Sequence, residues 1–230
     1  MIDKKKIIAL VPARGGSKGI KLKNLKKING KTLIQITSDF IEDCRFFDLK
    51  VLSSENKKII QHSKKLNFEI VKRSKKLSGD KISDFQVIHE VVRSIKKKQL
   101  QNFDYLVYLQ PTSPLRRKKQ LLDSIKKVIK FKYDGAWSIT KVDPKYHLLK
   151  LLKIEENNLK LLDKRGQKIV ARQMLKDIYI RNGVFYIFNI EKLMQNKSIY
   201  LKNIYPSITN YKTANIDNLD DLNLAKKLMK

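Results

Sequence analysis

The chain has 230 residues, of which 51 are lysine or arginine and 22 are aspartate or glutamate, so its formal net charge is +29. This length is enough for one sizeable core, and no apolar run approaches the ~20 residues that cross a bilayer. The segment before the first apolar run lacks signal-peptide character, and the single cysteine, Cys44, has no partner for an internal disulfide. We therefore expect a cytoplasmic protein without a membrane segment.

The positive charge is distributed along the whole chain. Lysines stand in pairs and triplets between apolar positions, which indicates solvated surfaces produced by a compositional bias. An RNP-like aromatic segment, a zinc-ligand spacing or a recognition-helix pattern would favour a nucleic-acid interface. The sequence has none of these, so we expect no specific nucleic-acid partner.

Apolar runs alternate with helical periodicity over the first 142 residues. The runs predict strands at residues 7–11, 49–53, 68–71, 105–109 and 135–142. Helical spacing predicts helices at residues 33–41, 56–66 and 120–131, and a further helix behind an N-cap at Ser83. This alternation is typical of parallel βαβ units and predicts an α/β fold.

The alternation ends after Val142. Residues 146–162 are rich in leucine and lysine, and residues 155–158 are typical of a turn between two strands. A strand at 184–188 and a helix at 220–229 complete the pattern. We interpret residues 1–230 as one domain with an inserted hairpin arm at about 143–180, which we expect to embrace a second subunit in a homodimer.

Two loops follow predicted strands and carry polar chemistry. The first, residues 12–19, holds Arg14, Lys18 and three glycines, a composition suited to phosphate binding. The spacing matches neither the P-loop nor the dinucleotide fingerprint. A tight turn with solvated cations is the alternative for this loop alone.

The second loop, residues 110–116, reads Gln-Pro-Thr-Ser-Pro-Leu-Arg. Its two prolines fix the loop shape, Gln110 offers a donor and an acceptor, and Arg116 offers a planar fork for an anion. Because parallel strands bind ligands at their carboxyl ends, both loops are expected at one ligand site.

Together these strings resemble those of the acylneuraminate cytidylyltransferases, the CMP-sialic acid synthetase family. The first loop, continued to Lys23 and Asn24, fits the family pattern A-R-x-x-S-K-G-x-x-x-K-N, and residues 110–116 match Q-P-T-S-P-L-R without a change. Weaker matches lie at residues 77–80, 181–187 and 216–217. The resemblance covers nearly the whole chain in the same order.

The resemblance implies a nucleotide-diphospho-sugar-transferase-like, Rossmann-like fold with a mostly parallel sheet and helices on both faces. It also implies that CTP and a nine-carbon sialic-acid-type (nonulosonic) sugar acid react to give a CMP-sugar and pyrophosphate, with Mg²⁺ as cofactor. The alternatives are a CMP-Kdo-type synthetase and a catalytically weakened relative that binds nucleotides.

The resemblance also implies roles for individual residues. The phosphates and the departing pyrophosphate are assigned to the catalytic cations Arg14, Lys18 and Lys23. The nucleotide is assigned to Ala13, Gly15, Gly16, Asn24, Arg73 and Asp80. The sugar is assigned to Gln110 and Arg116, and to Arg172 and Gln173 of the arm, reaching across a dimer interface.

The chain departs from the family pattern at two acidic positions. The family places two aspartates, D-x-D, as magnesium ligands, whereas this chain has Asn215 and Asp217. Because a carboxamide ligates Mg²⁺ without charge, we expect weaker metal binding here. Asp84 stands where relatives often have a small hydroxyl residue, and its carboxylate is unfavourable beside CTP unless it faces away from the nucleotide.

Overall fold

A seven-stranded sheet forms the centre of the computed structural model, which describes residues 2–16, 19–99 and 102–229. In chain order, the strands inside and outside this sheet are β1 (Ile7–Pro12), β2 (Lys27–Ile28), β3 (Lys31–Thr32), β4 (Leu49–Ser54), β5 (Glu69–Lys72), β6 (Tyr105–Tyr108), β7 (Gly135–Lys141), β8 (Leu152–Glu155), β9 (Asn158–Leu161), β10 (Tyr179–Asn189) and β11 (Ile204–Ile208). The pairs β2–β3 and β8–β9 form two small sheets of their own. The α-helices are α1 (Leu33–Cys44), α2 (Lys57–Lys64), α3 (Asp84–Gln99), α4 (Lys118–Lys130), α5 (Ile190–Asn196) and α6 (Leu219–Leu228).

The sheet order is β11-β7-β10-β6-β1-β4-β5. Every neighbouring pair is parallel except those that β10 makes with β6 and β7, which are antiparallel. The predicted α/β fold with a mostly parallel sheet is therefore confirmed.

The alternation of side chains along β1 explains the two core layers. Ile7, Ala9 and Val11 pack on one face with residues of α1, α2 and α4, whereas Ile8 and Leu10 pack on the other face with residues of α3 and α5. Helices thus cover both faces of the sheet, and a strand buried on both faces needs an unbroken apolar sequence.

The helix starts follow local capping chemistry. Asn56 caps α2 by accepting from the backbone N–H groups of Lys58 and Ile59. The predicted cap of α3 also forms, because Ser83 Oγ accepts from the N–H of Gln86, whose side chain accepts from the N–H of Ser83. This reciprocal pair is a capping box.

The segment between β7 and β10 lies outside the central sheet. It contains the hairpin β8–β9, whose turn places Glu156 and Asn157 at φ of 51° and 65°, and the short 3-10 helices Pro144–Tyr146, Leu148–Lys150, Lys164–Lys168 and Arg172–Met174. The hairpin forms where the sequence predicts it. Across the described parts of the chain, none of the helices combines the length and the apolar character that a membrane span requires.

Candidate active site

A cleft opens at the edge of the sheet where four parallel strands end. β1, β4, β5 and β6 run in the same direction, and Arg14, Glu55, Arg73 and Gln110 follow their carboxyl ends within two residues. The cleft has a volume of ≈ 600 Å³, and we call it the edge cleft. Eight residues that the sequence assigns to the site line it: Arg14, Lys23, Asn24, Arg73, Asp80, Gln110, Asn215 and Asp217.

The loop after β1 comes close to the segment that precedes α6. A Cβ atom at Gly19 would lie 2.2 Å from the carbonyl oxygen of Asp217, so this approach requires glycine. Asn24 is buried, and its Nδ2 donates to the carbonyl oxygen of Arg14 at 3.0 Å. Its Oδ1 is also buried and has no hydrogen-bond partner among the described residues. Asn24 therefore holds the backbone of Arg14 and retains a free acceptor.

Two of the three cations that the sequence assigns to the phosphates, Arg14 and Lys23, are described, and both form ion pairs across the edge cleft. Arg14 Nη1 lies 2.8 Å from Asp80 Oδ1, and Lys23 Nζ lies 2.7 Å from Asp217 Oδ1. The Lys23 side chain is only 13% exposed, whereas the Asp217 side chain is 70% exposed. The Arg14–Asp80 pair is exposed on both sides, and exposed pairs contribute little to stability, so a polyanion can displace Asp80 from Arg14 at small cost. Lys23 is mostly buried, so its ammonium needs a replacement anion whenever the exposed Asp217 carboxylate moves away.

Arg73 forms a fixed positive wall of the edge cleft. It is 6% exposed, and its Nε and Nη2 donate to the side-chain and backbone oxygens of Ser53 at 3.1 and 3.2 Å. Burial lowers the pKa of Arg73, and the nearby charges of Tyr108, Glu55 and Glu90 oppose this shift. The guanidinium is thus oriented before any ligand arrives.

A chain of polar contacts forms the floor of the edge cleft. Ser113 Oγ donates to Asn215 Oδ1 at 3.3 Å, and Asn215 Nδ2 donates to Asp217 Oδ2 at 3.4 Å. Gly183 adopts a φ of +72°, and a Cβ there would lie 2.9 Å from Ser113 Oγ and 3.0 Å from Gln110 Oε1. The glycine of β10 therefore keeps the Gln110 amide accessible.

The sequence did not identify Tyr108 as a site residue, and it left the direction of Asp84 open. Both line the edge cleft, and the Tyr108 hydroxyl donates to Asp84 Oδ1 at 2.7 Å. Burial, followed by the Asp84 carboxylate, raises the pKa of Tyr108 well above its usual value. The Asp84 carboxylate therefore faces the edge cleft while one of its oxygens is held by Tyr108.

The sequence model of a cytidylyltransferase family matches residues 8–229 of this chain. The chain belongs to the cytidylyltransferase family. The match includes every residue assigned to the site, so the edge cleft is the candidate active site of a nucleotidyltransferase.

Individual relatives and folds agree with this assignment. A pseudaminic acid cytidylyltransferase of Campylobacter jejuni is 28% identical, over 98% of this chain and 97% of that protein. An N-acylneuraminate cytidylyltransferase of Streptococcus agalactiae is 26% identical, over 87% of this chain and 47% of that protein. A solved CMP:2-keto-3-deoxy-manno-octonic acid synthetase complexed with CTP superposes with a TM-score of 0.71 at 13% identity, covering 98% of each chain. The resemblance to acylneuraminate cytidylyltransferases is confirmed.

The backbone N–H groups of two assigned residues of this cytidylyltransferase have partners within the chain. The N–H of Ala13 donates to the carbonyl oxygen of Ser53 at 2.9 Å, and the N–H of Gly15 donates to Glu55 Oε1 at 2.7 Å. These two N–H groups are bonded to β4 and to the residue after it, and the roles of Ala13 and Gly15 towards the nucleotide stay predictions. A Cβ at Gly16 would meet nothing within 4 Å, and the role of Gly16 stays a prediction.

Arg116 does not line the edge cleft, so the structure does not bring it together with the other assigned residues, and its role towards the sugar stays a prediction. Its Nε donates to the carbonyl oxygen of Val184 at 2.9 Å, Nη1 donates to Thr37 Oγ1 at 3.3 Å, and Nη2 donates to the carbonyl oxygen of Gln110. Burial lowers the pKa of Arg116 to about 9. With all three nitrogens bonded internally, Arg116 fixes the loop that carries Gln110.

The remaining three assigned residues are Lys18, Arg172 and Gln173. Lys18 falls outside the described residues. Arg172 and Gln173 are exposed in a 3-10 helix of the arm and do not line the edge cleft. Within one chain, the structure does not bring the arm residues to the nucleotide residues.

Asp217 is the residue best suited to a magnesium ion. Its carboxylate is exposed at the edge cleft and already attracts the ammonium of Lys23. Among the described residues, no group of three or more His, Cys, Asp or Glu side chains forms a complete metal site. Mg²⁺ commonly binds one or two carboxylates together with substrate phosphates, so this donor set fits a nucleotide-bound magnesium ion.

Proposed function

We propose that this cytidylyltransferase transfers CMP from CTP to a nine-carbon sugar acid of the sialic-acid type. The observation that carries the proposal is the edge cleft, which joins Arg14, Lys23 and Arg73 to the Gln110 amide. The cations match a triphosphate and the amide matches a polyhydroxylated sugar. The names of the pseudaminic acid and N-acylneuraminate relatives support a nonulosonic acid as acceptor.

The cationic end of the edge cleft would take the triphosphate. Arg14 and Lys23 would exchange their carboxylate partners for phosphate oxygens, and Lys18 of the same loop would add a third charge. Cations placed on the leaving group stabilise charge as it develops. The same residues therefore bind CTP and promote departure of pyrophosphate.

The reaction is an in-line displacement at the α-phosphorus. The anomeric hydroxyl oxygen of the sugar acid forms the new bond to phosphorus, the bond from phosphorus to the bridging oxygen breaks, and pyrophosphate leaves with the electron pair. The hydroxyl proton passes to water. Gln110 would orient the sugar, whereas Arg73, Asn24 and Asp80 would hold the nucleoside part of CTP.

Mg²⁺ is part of the proposal. Asp217 would hold it together with phosphate oxygens of CTP, and Asn215 would orient the Asp217 carboxylate through the 3.4 Å contact. When bound, the ion neutralises phosphate charge and makes the α-phosphorus more electrophilic. If Asp217 held the ion, its carboxylate would no longer pair with Lys23, whose ammonium would then be available to the phosphates.

A homodimer would complete the site. The arm exposes large apolar side chains, including Ile154 at 75% and Leu159 at 67%, and an apolar patch of this kind is typical of an interface. A second copy seated on the arm would cover these residues and bring Arg172 and Gln173 towards a sugar site. We place this enzyme in the cytoplasm, where CTP is available.

Two alternatives belong to the same test. The likeness to the octonic acid synthetase, at 13% identity, supports the fold and leaves a CMP-Kdo activity as a separate outcome. Asn215 favours a weakened enzyme as a second candidate, because it removes one negative charge from the metal position.

The test is initial-rate pyrophosphate release with CTP, Mg²⁺ and a panel of N-acetylneuraminic, pseudaminic, legionaminic and Kdo acids. We expect release with one or more nine-carbon acids and a kcat/KM for Kdo lower by at least about tenfold, because the loss of fitted sugar contacts typically changes the barrier by about 1.4 kcal/mol or more. A preference for Kdo, or CTP binding without release for any acid, would reject the proposal.

A further inference from the structure

We infer that Glu55 is a positioning residue for CTP, because it ties the loop after β1 to the part of the edge cleft that holds Arg73. We call this loop, residues 12–19, the phosphate loop. The inference rests on the proposed function, since it assumes that CTP occupies the edge cleft. Glu55 does not itself line the cleft. It acts from behind the loop, through Gly15.

Glu55 contacts the phosphate loop directly. Glu55 Oε1 accepts from the backbone N–H of Gly15 at 2.7 Å. On the same side, a Cβ at Gly15 would lie 2.6 Å from Asn56 Nδ2. Glycine therefore allows the loop to lie directly against residues 55 and 56. A hydrogen bond to a charged group is stronger than one between neutral groups, so the carboxylate fixes the backbone next to Arg14.

The segment that contains Glu55, residues 53–55, also bonds Arg73. The carbonyl oxygen of Ser53 accepts from the N–H of Ala13 and from Arg73 Nη2, and that of Ser54 accepts from the N–H of Arg73. Residues 53–55 thus bond both the loop that would hold the phosphates and the arginine that would hold the nucleoside. The spacing between the two ends of the nucleotide site is set by this short segment.

Glu55 and Glu90 each keep one carboxylate oxygen that makes no hydrogen bond within the described part of the chain and interacts with the charge of Arg73. Glu55 Oε2 and Glu90 Oε2 are buried and have no hydrogen-bond partner among the described residues. Burial lowers the pKa of Arg73, and the negative charges of Glu55 and Glu90 oppose that shift because they stabilise its positive charge. A buried carboxylate oxygen without a hydrogen bond is costly, and the charge of Arg73 offsets that cost. Glu55 differs from Glu90 in one respect, because only Glu55 also bonds the phosphate loop.

The experiment separates these contacts by comparing variants of the full chain. Calorimetric titration measures the Kd of CTP with Mg²⁺, and steady-state kinetics measure the KM of CTP and of the sugar acid. Glu55→Gln keeps an acceptor for Gly15 but removes the charge. Glu55→Ala removes both, and Glu55→Asp keeps the charge but shortens the reach. Glu90→Gln is the matched control that changes the charge near Arg73 without touching the loop.

We expect Glu55→Ala and Glu55→Asp to raise the Kd and KM of CTP about tenfold, as expected for loss of a hydrogen bond to a charged group. Glu55→Gln and Glu90→Gln should each raise them by no more than about threefold, and the KM of the sugar acid should stay within about twofold in all four variants. A variant that merely loses folded protein would lower kcat and leave the KM of CTP unchanged.

Three results would overturn the inference. CTP affinity of Glu55→Ala equal to that of the wild type would show that the loop needs no support from Glu55. Tighter CTP binding would show that the carboxylate competes with the phosphates for the Gly15 N–H. Equal losses in Glu55→Gln and Glu55→Ala would assign the effect to charge alone. If the wild-type protein does not bind CTP, the proposed function fails instead, before any variant is compared.

Discussion

Asn215 joins two parts of the active-site floor in this cytidylyltransferase. Its amide oxygen accepts from Ser113 Oγ and its amide nitrogen donates to Asp217 Oδ2. A carboxamide can make both contacts at once, whereas a carboxylate has no proton to donate to Asp217. The departure from the family pattern at this position is therefore compatible with a single, well-oriented metal carboxylate.

Replacing Asn215 by aspartate should strengthen magnesium binding. The added carboxylate supplies a charged ligand beside Asp217 and removes a hydrogen bond that only the amide can donate. We expect the Mg²⁺ concentration for half-maximal CTP binding to fall about tenfold, while stability without Mg²⁺ falls because two carboxylates then face each other. Calorimetry and thermal melts at several Mg²⁺ concentrations measure both effects. An unchanged Mg²⁺ dependence would place the ion away from residue 215.

The sequence identified most of the polar and charged side chains that line the edge cleft, because loops after parallel strands share one edge. It could not show which way a side chain turns. Arg116 was assigned to the sugar because it follows a ligand loop, yet the structure bonds its guanidinium to β10, α1 and the backbone of Gln110. Glu55 was not assigned a role, since its contact with Gly15 joins residues 40 positions apart.

At the scale of elements, the phosphate loop depends on its approach to the segment before α6. A Cβ at Gly19 would lie 2.2 Å from a backbone oxygen of Asp217, whereas a Cβ at Gly16 would meet nothing within 4 Å. Backbone atoms move less readily than the ends of flexible side chains, so the two glycines should respond differently to substitution.

We predict that Gly19→Ala destabilises the protein by about 1–3 kcal/mol and that Gly16→Ala changes its stability by less than about 0.5 kcal/mol. Urea unfolding of both variants provides the comparison. Gly16→Ala controls for the general effect of adding a methyl group to this loop. Equal stabilities of the two variants would contradict the close approach at Gly19.

The packing of α2 against the start of α1 adds a pH-dependent contribution to stability. His62 Nε2 lies 2.8 Å from Thr32 Oγ1, which also accepts from the N–H of Gln35 as the cap of α1. Burial lowers the pKa of His62, and the neighbouring charges of Lys65 and Lys27 lower it further. The folded protein therefore favours neutral His62.

Because the unfolded chain binds the proton more tightly, folding stability should fall as the pH drops from about 7 towards the lowered pKa of His62. His62→Gln keeps a polar side chain but removes the titration, so its stability should decrease less over the same range. Urea unfolding at about pH 7, 6 and 5 measures the slope. Identical slopes in both proteins would assign the acid sensitivity to other groups.

The elements predicted best are those with a local signal. Runs of apolar residues located β1, β4, β5, β6 and β7, and helical spacing located α1, α2, α3 and α4, whereas the short helix α5 was not predicted. β11 was missed because it is a five-residue edge strand that contains Pro206, and a proline argues against a strand. The antiparallel direction of β10 was not predicted, since direction depends on the path of the arm before it.

At the scale of the whole molecule, the arm carries large apolar side chains that no other described part of the same chain covers. Ile154 and Leu159 face each other across the β8–β9 hairpin and are largely exposed. We predict that the wild type has twice the 27.0 kDa mass of one chain in solution. The double variant Ile154→Lys, Leu159→Lys should have the mass of one chain, because charges placed in an apolar interface oppose association.

Light scattering after size-exclusion chromatography measures the mass. Phe131→Lys, which changes an exposed apolar residue outside the arm, is the matched control and should leave the dimer intact. The monomeric variant should still bind CTP but show a raised KM for the sugar acid, because Arg172 and Gln173 would act across the interface of the proposed dimer. A wild-type mass of one chain would reject this assignment of the arm.

Under the proposed function, the edge cleft couples CTP to a sugar acid. The most direct measurement is the joint quantification of pyrophosphate and CMP-sugar, by enzymatic assay and mass spectrometry, with CTP, Mg²⁺ and the nonulosonic acid that the panel selects. We predict one pyrophosphate per CMP-sugar, no release without the sugar acid, and a rate at least about 100-fold lower in Lys23→Ala. Pyrophosphate release that is independent of the sugar acid, or an unimpaired Lys23→Ala variant, would contradict the account.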